Sequence, residues 1–395
     1  MHFLTHDTYL DVTQSVDSDK FTGVERMVRG LYRAMGARRS GLRPVVWDPF
    51  LRSYCHLRGS EHVRLAAWRG SGQNSGAKPE GGPIHLWLRR RLRPVDRWFR
   101  RVWIKSGDCL ILPEPVADTR LILLESSGLL SRSIAICHDV IPWEFARREN
   151  TRVPPYFDRY LRALSRMRQV ICISNDTRSK LEEAWSFVGV KPAPLAVVPW
   201  PIPFEEPRPE PSEPERPDRI LCVSSINARK NHGALLDALR LLRGKNMPFE
   251  LILVGREGKD AGLLVQEIQA ARAEGLPVVW RRHIAEDELH EEYRRSAFTV
   301  LPSLMEGFGL PILESLWHGR PCLVHQAGAM AELAADGGCQ TVDMRRPTEI
   351  ADALADLITN RNNYNRLQAE CRSRAFRTWD QWREDFAAAV TFPLP

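Results

Sequence analysis

Nowhere in these 395 residues do two cysteines form a C-x-x-C pair, and no stretch approaches the roughly 18 consecutive apolar residues of a membrane-spanning helix. The eight cysteines (55, 109, 137, 172, 222, 322, 339 and 371) are scattered, which excludes a zinc ribbon and a disulfide-stapled scaffold. Cys137, Cys172 and Cys222 lie inside apolar, strand-like runs and read as reduced core residues. No G-x-G-x-x-G follows the first strand of either half, which argues against a dinucleotide-dependent dehydrogenase. The opening "MHFLTHDTYLDVTQ" lacks the basic start and apolar core of a secretory signal, so a cytoplasmic protein is expected. No internal repeat at solenoid periods is present.

What is present is ordinary globular composition, 43% hydrophobic and 27% charged, in a chain long enough for two cores. A net charge of +7 suits an anionic partner, whether nucleic acid, membrane surface or a phosphorylated small molecule. Short β-branched runs alternate with helical patterns almost throughout. In the first half the runs are "PVVWD", "CLILPE", "SIAICHDV", "VICIS" and "LAVVP"; in the second they are "RILCVSS", "ELILVG", "PVVWRRHI", "FTVLPS" and "RPCLVHQ". Continuous apolar strands between amphipathic helices predict parallel sheets covered on both faces. The reading is an α/β protein of two Rossmann-like, doubly wound domains facing each other across a cleft. The first would span residues 1–203 and the second 219–376, joined by a stiff proline-rich linker at 204–218. A helix in 377–395 would pack back toward the first domain, and "RGSGQNSGAKPEGGP" (69–83) has the composition of a mobile loop.

The most informative stretch is "SLMEGFGLPILESLWHGRP", which follows the strand-like "FTVLPS". Pro311 fits the first position of a helix and Gly319 its C-terminal cap. Gly307 and Gly309 let the backbone turn tightly beside a ligand, and the helix start offers unpaired amides and the positive end of its dipole. Together they make a diphosphate cradle. Glu306 on the loop can accept hydrogen bonds from sugar hydroxyls, and Glu314, about one turn into the helix, can reach a ribose diol. Taken singly, either glutamate is as well read as a helix-terminal charge or a solvated surface residue.

The ordered set "EGFGLPILE" resembles the Glu, seven residues, Glu motif of the retaining glycosyltransferases of family 4, which have the two-domain GT-B fold. The resemblance covers most of the second half and the first more loosely. It implies that Glu306 contacts the donor sugar, that Gly307, Phe308, Gly309 and Leu310 hold the sugar and diphosphate, and that Glu314 binds the ribose. In "SSINARKNHG", Lys230 looks like the family's phosphate-binding lysine. Many members carry an arginine six residues earlier, where this chain has Ser224; either Arg229 supplies the missing charge or the site works with fewer cations. Gly255, closing "ELILVG", and His283, in "PVVWRRHI", are further donor-side candidates. "IAICHDVIPWEF" resembles the H-D-x-x-P element of mannosyltransferase-like members, giving His138 a donor-sugar contact and Asp139 a place beside it. "FTGVERMVRGLYRAM" resembles a Thr-Gly-Val-x-Arg element, with Gly23 approaching donor or acceptor. His138, Lys230 and Glu306 form the expected catalytic set.

The expected reaction is retaining transfer of a sugar, most simply mannose from GDP-mannose, to a hydroxyl of a glycan or lipid-linked glycan in polysaccharide, lipopolysaccharide or glycolipid assembly. dTDP- or UDP-linked rhamnose, glucose or N-acetylglucosamine are alternative donors. No cofactor and no metal are expected: the "DSD" at Asp17 and Asp19 sits in a polar stretch rather than after a strand. A nucleic-acid-binding protein would explain the charge but not the glutamate pair. The segment "LRRRLRPVDRWFRRVWIK" (88–105), with eight basic residues from Arg89 to Lys105, reads either as an amphipathic helix on an anionic membrane surface or as a domain helix facing the core.

Overall fold

The computed structural model describes residues 7–17, 23–34, 42–66, 96–204, 206–210, 213–258 and 261–390. The chain divides into two compact units, Met1–Pro201 with Thr378–Pro395, and Ile202–Arg377.

The first unit is built on a seven-stranded sheet. Its strands are β1 (Thr8–Asp11), β2 (Leu42–Asp48), β3 (Ser53–His56), β4 (Cys109–Leu112), β5 (Ser133–Cys137), β6 (Gln169–Cys172) and β7 (Leu195–Val197), in the order β3-β2-β1-β4-β5-β6-β7. All neighbours are parallel except β2 and β3, a hairpin that closes one edge. β4, β5 and β6 are buried at every position, as the continuous apolar runs require when helices cover both faces. Cys137 and Cys172 face each other across β5 and β6 as buried thiols.

The second unit carries β8 (Arg219–Val223), β9 (Glu250–Val254), β10 (Val278–Arg281), β11 (Phe298–Leu301), β12 (Cys322–His325) and β13 (Cys339–Val342), all parallel, in the order β10-β9-β8-β11-β12-β13. From β8 the chain winds outward through β9 and β10. It then returns to lay β11 on the other side of β8 and winds the opposite way. That reversal opens a crevice beyond the carboxyl ends of β8 and β11, the place where open α/β sheets bind ligands. In the first unit the same reversal falls between β1 and β4. Two Rossmann-like, doubly wound sheets, as expected from the sequence, are the observed fold, one in each unit.

Two expectations are corrected. The proline-rich run is not a linker, because the chain changes unit at Pro201/Ile202 and again at Arg377/Thr378. The run packs on the second unit: Arg208 donates to the carbonyls of Leu316, Trp317, Cys371 and Arg372, where two helices end. Phe204 is buried beside His290, Trp317 and His318. The 88–105 segment is not one helix over its described part. A single turn at 96–99 gives way to extended chain that bridges β3 through Cys55 and Arg101. The 69–83 stretch lies outside the described residues, and among those residues no helix is long and apolar enough to cross a membrane.

The returning C-terminal helix is present, Trp379–Ala389, opened by a capping box in which Thr378 and Gln381 exchange side-chain and backbone hydrogen bonds. It belongs to the first unit. Trp382 stacks on Trp200 at 5.1 Å, and the Trp379 indole lies against Gly30 of helix Gly23–Ala34 so closely that a Cβ there would come within 2.0 Å of the ring. Gly30→Ala is therefore expected to force the helix away and destabilise the first unit by roughly 1–3 kcal/mol, although alanine is the better helix former. Urea unfolding followed by tryptophan fluorescence would show it; an unchanged or raised midpoint would mean that the helix is not held against Gly30.

Candidate functional site

β8 ends at Val223, and the chain runs through Ser224 and Ser225 into a 3₁₀ turn, Ala228–Lys230, before helix His232–Gly244 begins. Asn231 makes that sharp join. Its backbone is left-handed (φ 56°), a conformation asparagine tolerates better than most residues. Its side-chain amide donates to the carbonyls of Pro302 (3.1 Å) and Met344 (2.7 Å), tying the end of β8 to the end of β11. On the other side of the crevice, β11 leads through Pro302 and Ser303 to Glu306 and then to helix Leu310–Trp317.

These two loops bring together the residues predicted to work together. Lys230, buried to 9% exposure, forms a short ion pair with Glu306 through Nζ and Oε1. Arg229 Nη1 reaches Glu306 Oε2 at 3.2 Å and the Met305 carbonyl at 3.1 Å. Burial alone would push the Glu306 carboxyl up, but the charges of Lys230 and Arg229 more than reverse that, and it sits below the usual carboxylate range. Two cations around one carboxylate leave the cluster with a net charge of about +1, suited to an anion. Ser224 bonds His232 Nε2 at 3.0 Å; burial, aided by Lys230, pushes that imidazole down to about 4, so it adds no charge at neutral pH.

Gly309 is the N-cap of helix Leu310–Trp317, with φ 102° and no side chain to cap the first turn. Phe308 and Leu310 on either side of it are buried. Pro311 stands in the first turn, and Gly319 is left-handed just past the C-terminal cap, His318, both as the sequence predicts. Gly255 at the end of β9 is required by close approach: its φ is +151°, and a Cβ would lie 2.0 Å from the Ser224 carbonyl.

Two donor-side candidates are placed differently. Glu314 projects into the protein, only 1% exposed, and its Oε2 accepts from the buried Tyr293 hydroxyl at 2.9 Å. The Tyr293 ring stacks on His318 at 4.8 Å. His283 is not in a strand: β10 ends at Arg281, and His283 is exposed beyond this edge strand, two strands from β8, with no hydrogen bond to the Lys230–Glu306 pair among the described residues. Asn231 and Tyr293 escaped the sequence reading. The one available signal for Asn231 was an asparagine directly before a helix start; for Tyr293 there was none.

The first unit holds the remaining candidates. His138 follows β5, 6% exposed, and its Nε2 lies 2.7 Å from the Pro113 carbonyl. A carbonyl only accepts, so Nε2 carries the proton and the neutral ring keeps its Nδ1 lone pair. Burial holds its pKa below the ordinary histidine value. Asp139 accepts from the Ile141 amide at 3.1 Å and so braces helix Ile141–Arg148. Both line a pocket of about 170 Å³ with Pro115, Ala117, Pro142, Tyr156, Phe157 and Tyr160. Gly23 opens helix Gly23–Ala34. Asp17 ends helix Thr13–Asp17, while its side chain and Asp19 lie outside the described residues.

With this geometry in hand, residues 203–374 match the family model described as glycosyl transferases group 1. Over this unit the chain is similar to the group 1 glycosyl transferases. The chain is 33% identical over 119 residues to O-antigen chain mannosyltransferase B of Escherichia coli, a match covering 30% of this chain and 31% of that protein. It is 29% identical over 170 residues, 42% of each chain, to a GDP-mannose-dependent phosphatidylinositol dimannoside mannosyltransferase of Mycobacterium tuberculosis. The matches thus span less than half the length of these curated relatives. The sucrose-phosphate synthase of Thermosynechococcus elongatus superposes on 97% of this chain, and over all of its own, with a TM-score of 0.66 at 16% identity, a likeness of fold.

The ion cluster is expected to hold the second unit together as well as to bind. Because the Glu306 pKa is lowered on folding, its contribution is present above the unfolded value and is lost as pH falls through the folded one. Lys230→Met should cost roughly 3 kcal/mol at neutral pH, since it leaves a largely buried carboxylate with one cationic partner, and the deficit should shrink as pH falls below about 4. Denaturant titrations of both proteins across that range check it; a deficit independent of pH would mean that the pair contributes only packing.

Proposed function

We propose that the protein is a glycosyltransferase that moves a mannosyl group from GDP-mannose to an acceptor hydroxyl with retention of configuration, in the assembly of a polysaccharide or a glycolipid. The observation that carries the reading is the Arg229–Glu306–Lys230 cluster at the strand-order reversal of the second sheet. Negative charge grows on the leaving diphosphate in the transition state, and two fixed cations beside an uncapped helix start stabilise it there. The bond from the anomeric carbon to the diphosphate oxygen breaks, and the acceptor oxygen attacks from the same face. Its proton passes to the departing phosphate oxygen, so the protein supplies no covalent nucleophile. Glu306 orders the sugar hydroxyls, and in the first unit His138 offers Nδ1 as an acceptor to a hydroxyl. The cations take the role a divalent metal has elsewhere, so activity needs none. The mannosyltransferases among the relatives support mannose over the dTDP- and UDP-linked sugars.

Two measurements test the proposal. GDP-mannose should raise the melting temperature and turn over in the presence of chelator, whereas activity that appears only with manganese or magnesium, or only with a UDP- or dTDP-sugar, overturns the metal or the donor assignment. Glu306→Ala and Lys230→Ala should each lower kcat at least a hundredfold. Near-normal turnover in either would remove the cluster from the chemistry.

A further inference from the structure

The edge of the first unit carries a surface that sugar transfer leaves unused. Residues 100–102 lie antiparallel along β3, with the His56 amide donating to Arg100 O at 2.9 Å and the Val102 amide to Tyr54 O at 2.8 Å. This anchorage divides the segment into two faces. Val102 and Arg97 point inward, Arg97 pairing with buried Glu61 at 2.9 Å. Trp98, Phe99 and Trp103 point outward with 57%, 84% and 73% of their surface in water, and Phe50, in the turn between β2 and β3, is 79% exposed. One exposed aromatic is ordinary, but three within six residues, with a fourth in the turn beside β3, mark an interaction surface.

Among the described residues, the charge of this surface that is not held in ion pairs is positive. The Arg101 guanidinium lies over both indoles, 5.1 Å from Trp98 and 4.9 Å from Trp103, so both rings flank a single cation. Arg101, Arg52 and Lys105 form no ion pair among the described residues, whereas the nearby acid, Asp96, is already engaged by Arg58 and Arg100. We propose that this edge docks on an anionic lipid bilayer. The indoles would lie at headgroup depth, Phe99 and Phe50 at the acyl boundary, and Arg101, Arg52 and Lys105 against lipid phosphates. A second copy of the chain is the poorer occupant, because a two-fold contact would set these cations against their own copies.

The test uses the full chain, sedimented with vesicles of phosphatidylcholine alone or with added phosphatidylglycerol. The protein should pellet with the anionic vesicles only. Arg101→Gln and Lys105→Gln should each weaken partitioning about fivefold, and Trp98→Ser with Trp103→Ser should abolish it at an unchanged melting temperature. Arg97 is unsuitable for such a test, since its replacement would strand Glu61 in the interior. Recovery in the supernatant with both vesicle types overturns the proposal. So does undiminished binding of the double tryptophan variant, or a dimer in light scattering that this variant converts to monomer.

Discussion

Glu306 holds the second unit's crevice in its working form. Its carboxylate is the one acceptor that Lys230 and Arg229 share among the described residues, and those cations come from the loop after β8 while Glu306 comes from the loop after β11. The pair therefore joins the two strands at which the sheet reverses direction. Asn231 repeats the link with neutral hydrogen bonds, from the same turn to Pro302 and Met344. In the proposed reaction an anion entering the crevice would meet Lys230 already largely desolvated and held in place, so little reorganisation would remain when negative charge develops.

The alternation of apolar strands with amphipathic helices was enough to recognise two doubly wound sheets, because a strand buried on both faces has no other sequence signature. The three strands that escaped the reading lack that signature for physical reasons. β1, "TYLD", is only four residues long and ends in a buried aspartate, whose charge is met by Arg120 at 2.8 Å. β3 is an antiparallel edge strand, and β13, "CQTV", is an edge strand with no fully buried position. Edge strands need only part of their surface covered, and polar residues hide them. The unit boundary was misplaced for a related reason. Proline content rules out helix and central strand but says nothing about what the chain packs on, and Arg208 and Phe204 anchor that run to the second unit.

The 88–105 segment shows the same limit at a finer scale. Apolar residues near helical spacing suggested one amphipathic helix, yet the described part changes from helical turn to extended chain between Phe99 and Arg101. Arg97 proves to be a core residue because Glu61 and Asp48 meet it there. Trp98, Phe99 and Trp103 stay outside. Composition alone ranks these residues the other way, since arginine is expected in water and tryptophan in the core. Only the register of the chain along β3 decides which of them faces solvent.

Ser224 illustrates how a charge can be absent from its expected place in the sequence without being absent from the site. Its hydroxyl engages His232, a residue that burial and the Lys230 charge keep neutral, so this flank of the cluster is polar and uncharged. A second cation must then come from elsewhere if a dianionic leaving group is to be met. Arg229 provides it from the 3₁₀ turn, one residue before Lys230, and the turn is what makes this possible. In a strand, consecutive side chains point to opposite faces, and on a helix they diverge by about 100°. The tight turn closed by left-handed Asn231 lets both side chains reach opposite oxygens of one carboxylate. The requirement on the sequence is thus for that turn geometry as much as for the charges, which is why "ARKN" must be read as a unit.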